Sequence, residues 1–218
     1  MNPTSQPLRR LALLAATAAT AAALTPVTAS AAPPSGPPAP TGADLPQVAQ
    51  VDDTFGYLAG GRRMTSRSNR LEVADESCLS YGSGVPAKAR FASYATADGD
   101  QGYFQGEEDP TFVVYQFATT ARARAGYALI ADYVNRCQGR TSDDGYRKTV
   151  DTVRVPRLGQ RQVGFRTVAV ESGDRREDLE VYVLKGSRIE RSWIQLDEGR
   201  ARRAHVVAMA RLLTRTAR

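Results

Sequence analysis

The N-terminal segment limits how much of this chain can fold. Arg9 and Arg10 precede an uncharged apolar run from Leu11 to Leu24, and small residues follow as far as Ala29-Ser30-Ala31. This order is typical of a secretory signal peptide, so we expect residues 1–31 to be removed and the protein to be secreted. An uncleaved anchor is the alternative, because a membrane span needs about 20 apolar residues. We expect no stable membrane span after cleavage.

A proline-rich linker and one domain follow. Residues 32–43 read APPSGPPAPTGA, a composition that favours an extended spacer over a helix or a central strand. The remaining chain, 44–218, has the length of a single domain with a core of its own. The 29 basic and 23 acidic residues of the full chain are interspersed and form no recognisable nucleic-acid module. We therefore predict no nucleic-acid partner.

The only two cysteines are Cys78 and Cys137. An even pair in a secreted chain predicts a disulfide. A free catalytic thiol or a metal site is the alternative, but the sequence offers one histidine and no second cysteine pair to complete either. The pattern predicts neither a metal nor a cofactor.

Apolar periodicity predicts an α+β fold. A first helix is expected between Asp44 and Gly60, a second from Thr119 or Thr120 to Cys137, and a third over about 198–216. Alternating or β-branched runs predict strands at 87–96, 111–117, 147–155, 162–171, 178–185 and 188–196. Short turns between successive strands favour a mainly antiparallel sheet. We expect the helices to cover one face of this sheet, in a single domain with one disulfide.

No catalytic signature stands out. A nucleophilic Ser83 with His205 would need glycines two residues before and after the serine, but Tyr81 and Val85 occupy those positions. His205, the only histidine, lies beside an apolar helix face, where a packed residue is the ordinary outcome. Carboxylates could serve a secreted hydrolase, although sequence alone places no two of them at a working separation. We predict no catalytic residues and a non-enzymatic protein, with a carboxylate hydrolase as the alternative.

Two features point to binding. Trp193, the only tryptophan, shares a strand face with Arg191, and the pair could form one wall of a ligand cleft. A packed core tryptophan is the other interpretation. The last helix carries a run of arginines that could meet an anionic envelope component: Arg200, Arg202, Arg203, Arg211, Arg215 and Arg218. A solvated helix face explains the same run.

The order of these segments resembles a known family. Its marks are Asp44-Leu45-Pro46, Cys78, Phe91-Ala92-Ser93-Tyr94, the strand from Phe112 to Phe117, and the alanine-rich helix that closes at Cys137. A strand hairpin and an Ala/Leu helix follow. This resembles the PknH-like extracellular sensor domain of mycobacterial receptor serine/threonine kinases, which also occurs in actinobacterial secreted proteins and lipoproteins without a kinase. The resemblance implies an α+β domain with a ligand cleft and no catalysis. Members often carry two disulfides, whereas this chain has cysteines for one.

The sequence therefore predicts a secreted, sensor-like domain of the cell envelope or the extracellular space. Its partner would be a small molecule, an envelope component or another protein. An envelope-surface binder that uses the C-terminal arginines is a further alternative.

Overall fold

An antiparallel sheet forms the centre of the domain. The computed structural model describes residues 36–73, 78, 84–97, 108–139, 146–196 and 200–217, and nothing is stated about the remainder. Within these residues, seven strands form one sheet in the order β1-β2-β3-β7-β6-β5-β4. They are β1 (Arg62–Leu71), β2 (Val85–Ala95), β3 (Asp109–Gln116), β4 (Tyr146–Val153), β5 (Arg161–Glu171), β6 (Asp174–Lys185) and β7 (Arg188–Leu196). Every pair of neighbours is antiparallel.

Both faces of the central strands are buried. Successive side chains of a strand point to opposite faces. In β3, Phe112 and Val114 join one apolar cluster, while Val113 and Tyr115 join the other. The same division occurs in β6, where Val181 and Tyr182 belong to different clusters. A strand buried on both sides is a nearly continuous apolar run, as β3 is.

The described helices are divided between these two faces. They are α1 (Val48–Phe55), α2 (Thr120–Cys137) and α3 (Arg203–Thr216). α1 and α3 pack on the face of Phe112, and α2 packs on the face of Val113. The α+β class and the antiparallel sheet are confirmed, but the expectation that all helices cover one face is wrong. Because central strands carry apolar side chains on both sides, each side needs a cover.

The disulfide joins α2 to the segment before β2. Cys78 and Cys137 are bonded, with their Cα atoms 5.8 Å apart. Cys137 ends α2 and is fully buried in the cluster of Tyr127 and Ile130. The predicted pairing is therefore confirmed, and it ties the C-terminal end of α2 to the segment between β1 and β2.

One strand was not predicted. β1 pairs with β2 along one side only, and Leu71 is its single buried residue.

The predicted signal peptide, 1–31, lies outside the described residues. Among the described helices, none combines the length and the apolar character that crossing a bilayer requires.

Candidate functional site

A cavity of about 90 Å³ lies between α2 and the sheet. We call it the α2 cavity. Ile130 and Tyr133 of α2 line one side, and side chains of β4, β5, β6 and β7 line the other. Antiparallel register brings the strands together here, because Glu180 lies opposite Phe165 of β5 and Tyr182 lies opposite Arg191 of β7.

An arginine held by aromatic rings and a carboxylate forms the inner wall. The Arg191 guanidinium carbon lies 4.5 Å from the ring centre of Trp193 and 5.5 Å from that of Tyr182. Its Nε donates to an Oε2 of Glu180 at 2.7 Å, and the Tyr182 hydroxyl donates to the same oxygen at 2.9 Å. The side chains of Arg191 and Glu180 are only 11% and 12% exposed. Cation–π contact and a charge-assisted hydrogen bond thus hold Arg191 in one position.

Asp178 places a second carboxylate on the same wall. Its Oδ1 accepts a hydrogen bond from Trp193 Nε1 at 3.0 Å, and its Oδ2 lies 3.4 Å from Nε of Arg176. Burial raises the pKa of Asp178, and the nearby Arg176 opposes that rise. Burial also holds the pKa of Tyr182 well above its usual value. Tyr182 therefore acts as a neutral donor at physiological pH.

Aromatic rings continue the wall toward α2. Phe165 stacks on Tyr182 with ring centres 6.0 Å apart, and Tyr133 meets the edge of Phe165 at 5.6 Å. Lys148 Nζ lies 5.5 Å from the ring centre of Tyr133. The cavity thus offers flat apolar surfaces beside fixed charges of both signs, which suits a small polar ligand with a flat face.

Both acids of the inner wall already have hydrogen-bond partners. Glu180 and Asp178 already accept hydrogen bonds from side chains of the wall. Within the described part of the chain, no group of three metal-ligating side chains converges on one point.

The predicted cleft pair lies at this cavity. Arg191 lines it, whereas Trp193 packs behind Arg191 and is hydrogen-bonded to Asp178. Whether they bind a ligand stays a prediction. The sequence reasoning missed Asp178, Glu180 and Tyr133. A usable signal was the spacing of two acids in the apolar stretch Asp178-Leu179-Glu180-Val181, since alternate residues share one face.

The other residues considered for chemistry lie elsewhere. Ser83 falls outside the described residues. His205 pairs through Nδ1 with Glu108, and its ring meets the edge of Phe55 at 5.2 Å between centres. Glu108 also accepts from the backbone N–H of Arg202. This carboxylate, which directly precedes β3, therefore ties the start of α3 to the beginning of β3, as expected of a packed histidine.

Comparison with known proteins supports the fold. The sequence matches no protein-family profile and no curated protein. Among solved structures, the extracellular domain of PknH from Mycobacterium tuberculosis aligns with a TM-score of 0.54 and 13% identity, over 79% of this chain and 93% of that one. The chain has the fold of the PknH extracellular domain. An Rv0999 ortholog from Mycobacterium smegmatis aligns with a TM-score of 0.46 and 11% identity, over 80% of this chain and 95% of the other. The resemblance seen in the sequence is thus confirmed at the level of the fold.

Proposed function

We propose that this protein is a secreted, non-enzymatic, sensor-like domain that binds a small polar ligand in the α2 cavity. The observation that carries the proposal is the fixed position of Arg191, between two aromatic rings and bonded to Glu180. A binding site gains affinity when its polar groups are ordered before the ligand arrives. The shared fold with an extracellular domain supports a role outside the cell.

Blocking the cavity tests this proposal. Ala169 lines the cavity and is nearly buried, so the larger side chain of Ala169→Leu would enter the space that a ligand needs. Ala128→Leu makes the same chemical change on the exposed face of α2. We expect native mass spectrometry of protein recovered from culture medium to show added mass that denaturation releases. Ala169→Leu should lose this mass, and Ala128→Leu should keep it.

Trp193 provides a second readout. It is the only tryptophan and lies directly behind Arg191. Compounds from a fragment library that bind the cavity should change its fluorescence in the wild type and in Ala128→Leu, but not in Ala169→Leu. Equal binding to all three folded proteins would contradict the proposed site.

A carboxylate hydrolase is the second candidate. Asp178 and Glu180 share one strand face at the cavity, and burial raises the pKa of Asp178, as an acid catalyst requires. A screen of glycan and ester substrates separates the two functions. Turnover that Asp178→Asn or Glu180→Gln abolishes would replace the binding role by catalysis.

A further inference from the structure

Five arginines of the sheet are paired with carboxylates: Arg166, Arg175, Arg176, Arg188 and Arg191. Four arginines on and beside α3 are not. Within the described residues, no carboxylate lies in ion-pair distance of Arg154, Arg203, Arg211 or Arg215, and all four are exposed. The positive charge of these four arginines is therefore not offset by an ion pair within the described residues.

Three of these arginines surround a groove. We call it the arginine groove; it has a volume of about 420 Å³ and is lined by Arg154, Pro156, Arg203, Ala204, Val207 and Arg211. It lies between α3 and the segment that follows β4, on the sheet face opposite the α2 cavity. Its lining contains no acidic and no aromatic residue.

One contact fixes the groove before any partner binds. Nε and Nη2 of Arg203 donate to the backbone carbonyl of Arg154 at 2.9 and 2.6 Å. This contact joins the first turn of α3 to the opposite wall. Nη1 of Arg203 stays available, so the guanidinium is positioned and still able to bind an anion.

The charges continue along the helix. Arg211 also lines a second groove with Arg215, between α3 and α1. At a rise of 1.5 Å per residue, Arg203 and Arg211 are separated by about 12 Å along the axis, and Arg215 by about 6 Å more. α3 contains no acidic residue between Arg203 and Thr216. The three arginines therefore follow one another along α3 while turning by about 120° around its axis. Asp53 of α1 lines the second groove beside Arg211 and Arg215, whereas the arginine groove has no acidic lining residue.

We propose that the arginine groove binds a linear, phosphate-bearing polymer that lies along α3. The guanidinium fork suits phosphate oxygens, and the row of arginines suits a partner whose charges repeat along a chain. A concave groove admits a strand better than the flat surface of a bilayer. Single-stranded nucleic acid uses aromatic side chains for base stacking, and the groove lining offers none.

Long-chain inorganic polyphosphate, end-labelled for fluorescence anisotropy, is the probe. We expect wild-type protein to bind it at low salt, with an affinity that falls as salt rises. The double variant R203Q/R211Q should bind about tenfold or more weakly. The slope of log affinity against log salt should decrease by about 1.4, because each lost phosphate contact removes about 0.7.

A matched control separates the groove from net charge. R62Q/R67Q removes two exposed arginines from β1 and changes the net charge equally. We expect this control to bind within about threefold of the wild type. Equal weakening in both double variants, or no binding by the wild type, would overturn the proposal.

Vesicles and an oligonucleotide complete the test. Phosphatidylglycerol vesicles and a single-stranded DNA of matched charge should each bind more weakly than polyphosphate. If vesicles or DNA bound more tightly than polyphosphate, and R203Q/R211Q abolished that binding, the groove would be assigned to a membrane or a nucleic acid. That result would overturn the proposal.

Discussion

Replacing Glu177 with glutamine tests how the charged part of the sheet is stabilised. Glu177 lies on β6 and its side chain is fully buried. Arg166 of β5 approaches one carboxylate oxygen at 2.8 Å and the other at 2.9 Å, and Arg175 pairs with the second oxygen as well. One buried carboxylate therefore pairs with two arginines. The next residue, Asp178, points to the α2 cavity, so this triad also fixes the strand that carries the site.

The expected loss of stability follows from burial. Breaking a buried ion pair costs about 3–5 kcal/mol. The side chains of Arg166 and Arg175 are 23% and 33% exposed, so water recovers part of that cost. We expect Glu177→Gln to lower the free energy of unfolding by about 2–3 kcal/mol at pH 7. For a domain of this size the Tm should fall by about 5–10 °C.

The pH dependence has a definite sign. Burial by itself would raise the pKa of Glu177, but hydrogen bonds and charges from Arg166 and Arg175 outweigh it and lower the pKa. A carboxyl whose pKa is lower in the folded state stabilises the fold above its unfolded pKa, about 4.3, and ceases to do so as the pH falls through the folded value. The difference between wild type and variant should therefore be full at pH 7 and shrink below about pH 4.

Urea unfolding followed by circular dichroism measures both quantities. Glu171→Gln is the matched control, because Glu171 is exposed at the end of β5. Its unfolding free energy should change by less than about 0.5 kcal/mol. A loss below about 1 kcal/mol for Glu177→Gln at pH 7, or a loss that grows on acidification, would refute the reasoning.

Asp178→Asn should show a pH dependence of stability opposite in sign to that of Glu177→Gln. Burial raises the pKa of Asp178, so its ionisation lowers the stability of the wild type as the pH rises. The urea midpoint of Asp178→Asn relative to wild type should rise between pH 3 and pH 7, whereas the exposed control Asp174→Asn should show no trend; a falling relative midpoint would contradict this. For the disulfide, a thiol reagent should label the folded protein only after reduction, and labelling without reduction would contradict the pairing. Replacing Cys78 and Cys137 with alanine should cost about 4 kcal/mol in the same urea assay.

Much of the fold is readable from the sequence because side-chain burial and periodicity coincide. β3 illustrates this, since Phe112-Val113-Val114-Tyr115 is apolar on both faces and buried on both. That same run indicated that the sheet needs cover on two sides, although the helices were expected on one. β1 shows the opposite case. It is an edge strand with one buried residue, so backbone pairing with β2 is what stabilises it. Its sequence has no alternation of apolar residues that would have predicted a strand.

The candidate site was predictable only where its residues share one strand. Arg191 and Trp193 are two positions apart on β7, so period-two geometry placed them on one face. Asp178 and Tyr133 come close to Arg191 and Trp193 only through strand register and helix packing. A single sequence shows neither the register nor the packing. Arg154 is a similar case, since only the packing of α3 brings it beside Arg203.

The placement of charge on the two faces argues for two separate roles. On the α2 face, Arg191 is nearly buried and already paired with Glu180. Its ion pair therefore serves to order an enclosed site. On the α3 face, Arg203 and Arg211 are exposed, and within the described residues no ion pair engages them, so their charge is available to a partner in solvent. The sheet separates the two. Removing the groove arginines should therefore leave the fluorescence response of Trp193 to cavity ligands unchanged, and any coupling between the sites would have to pass through the strands themselves.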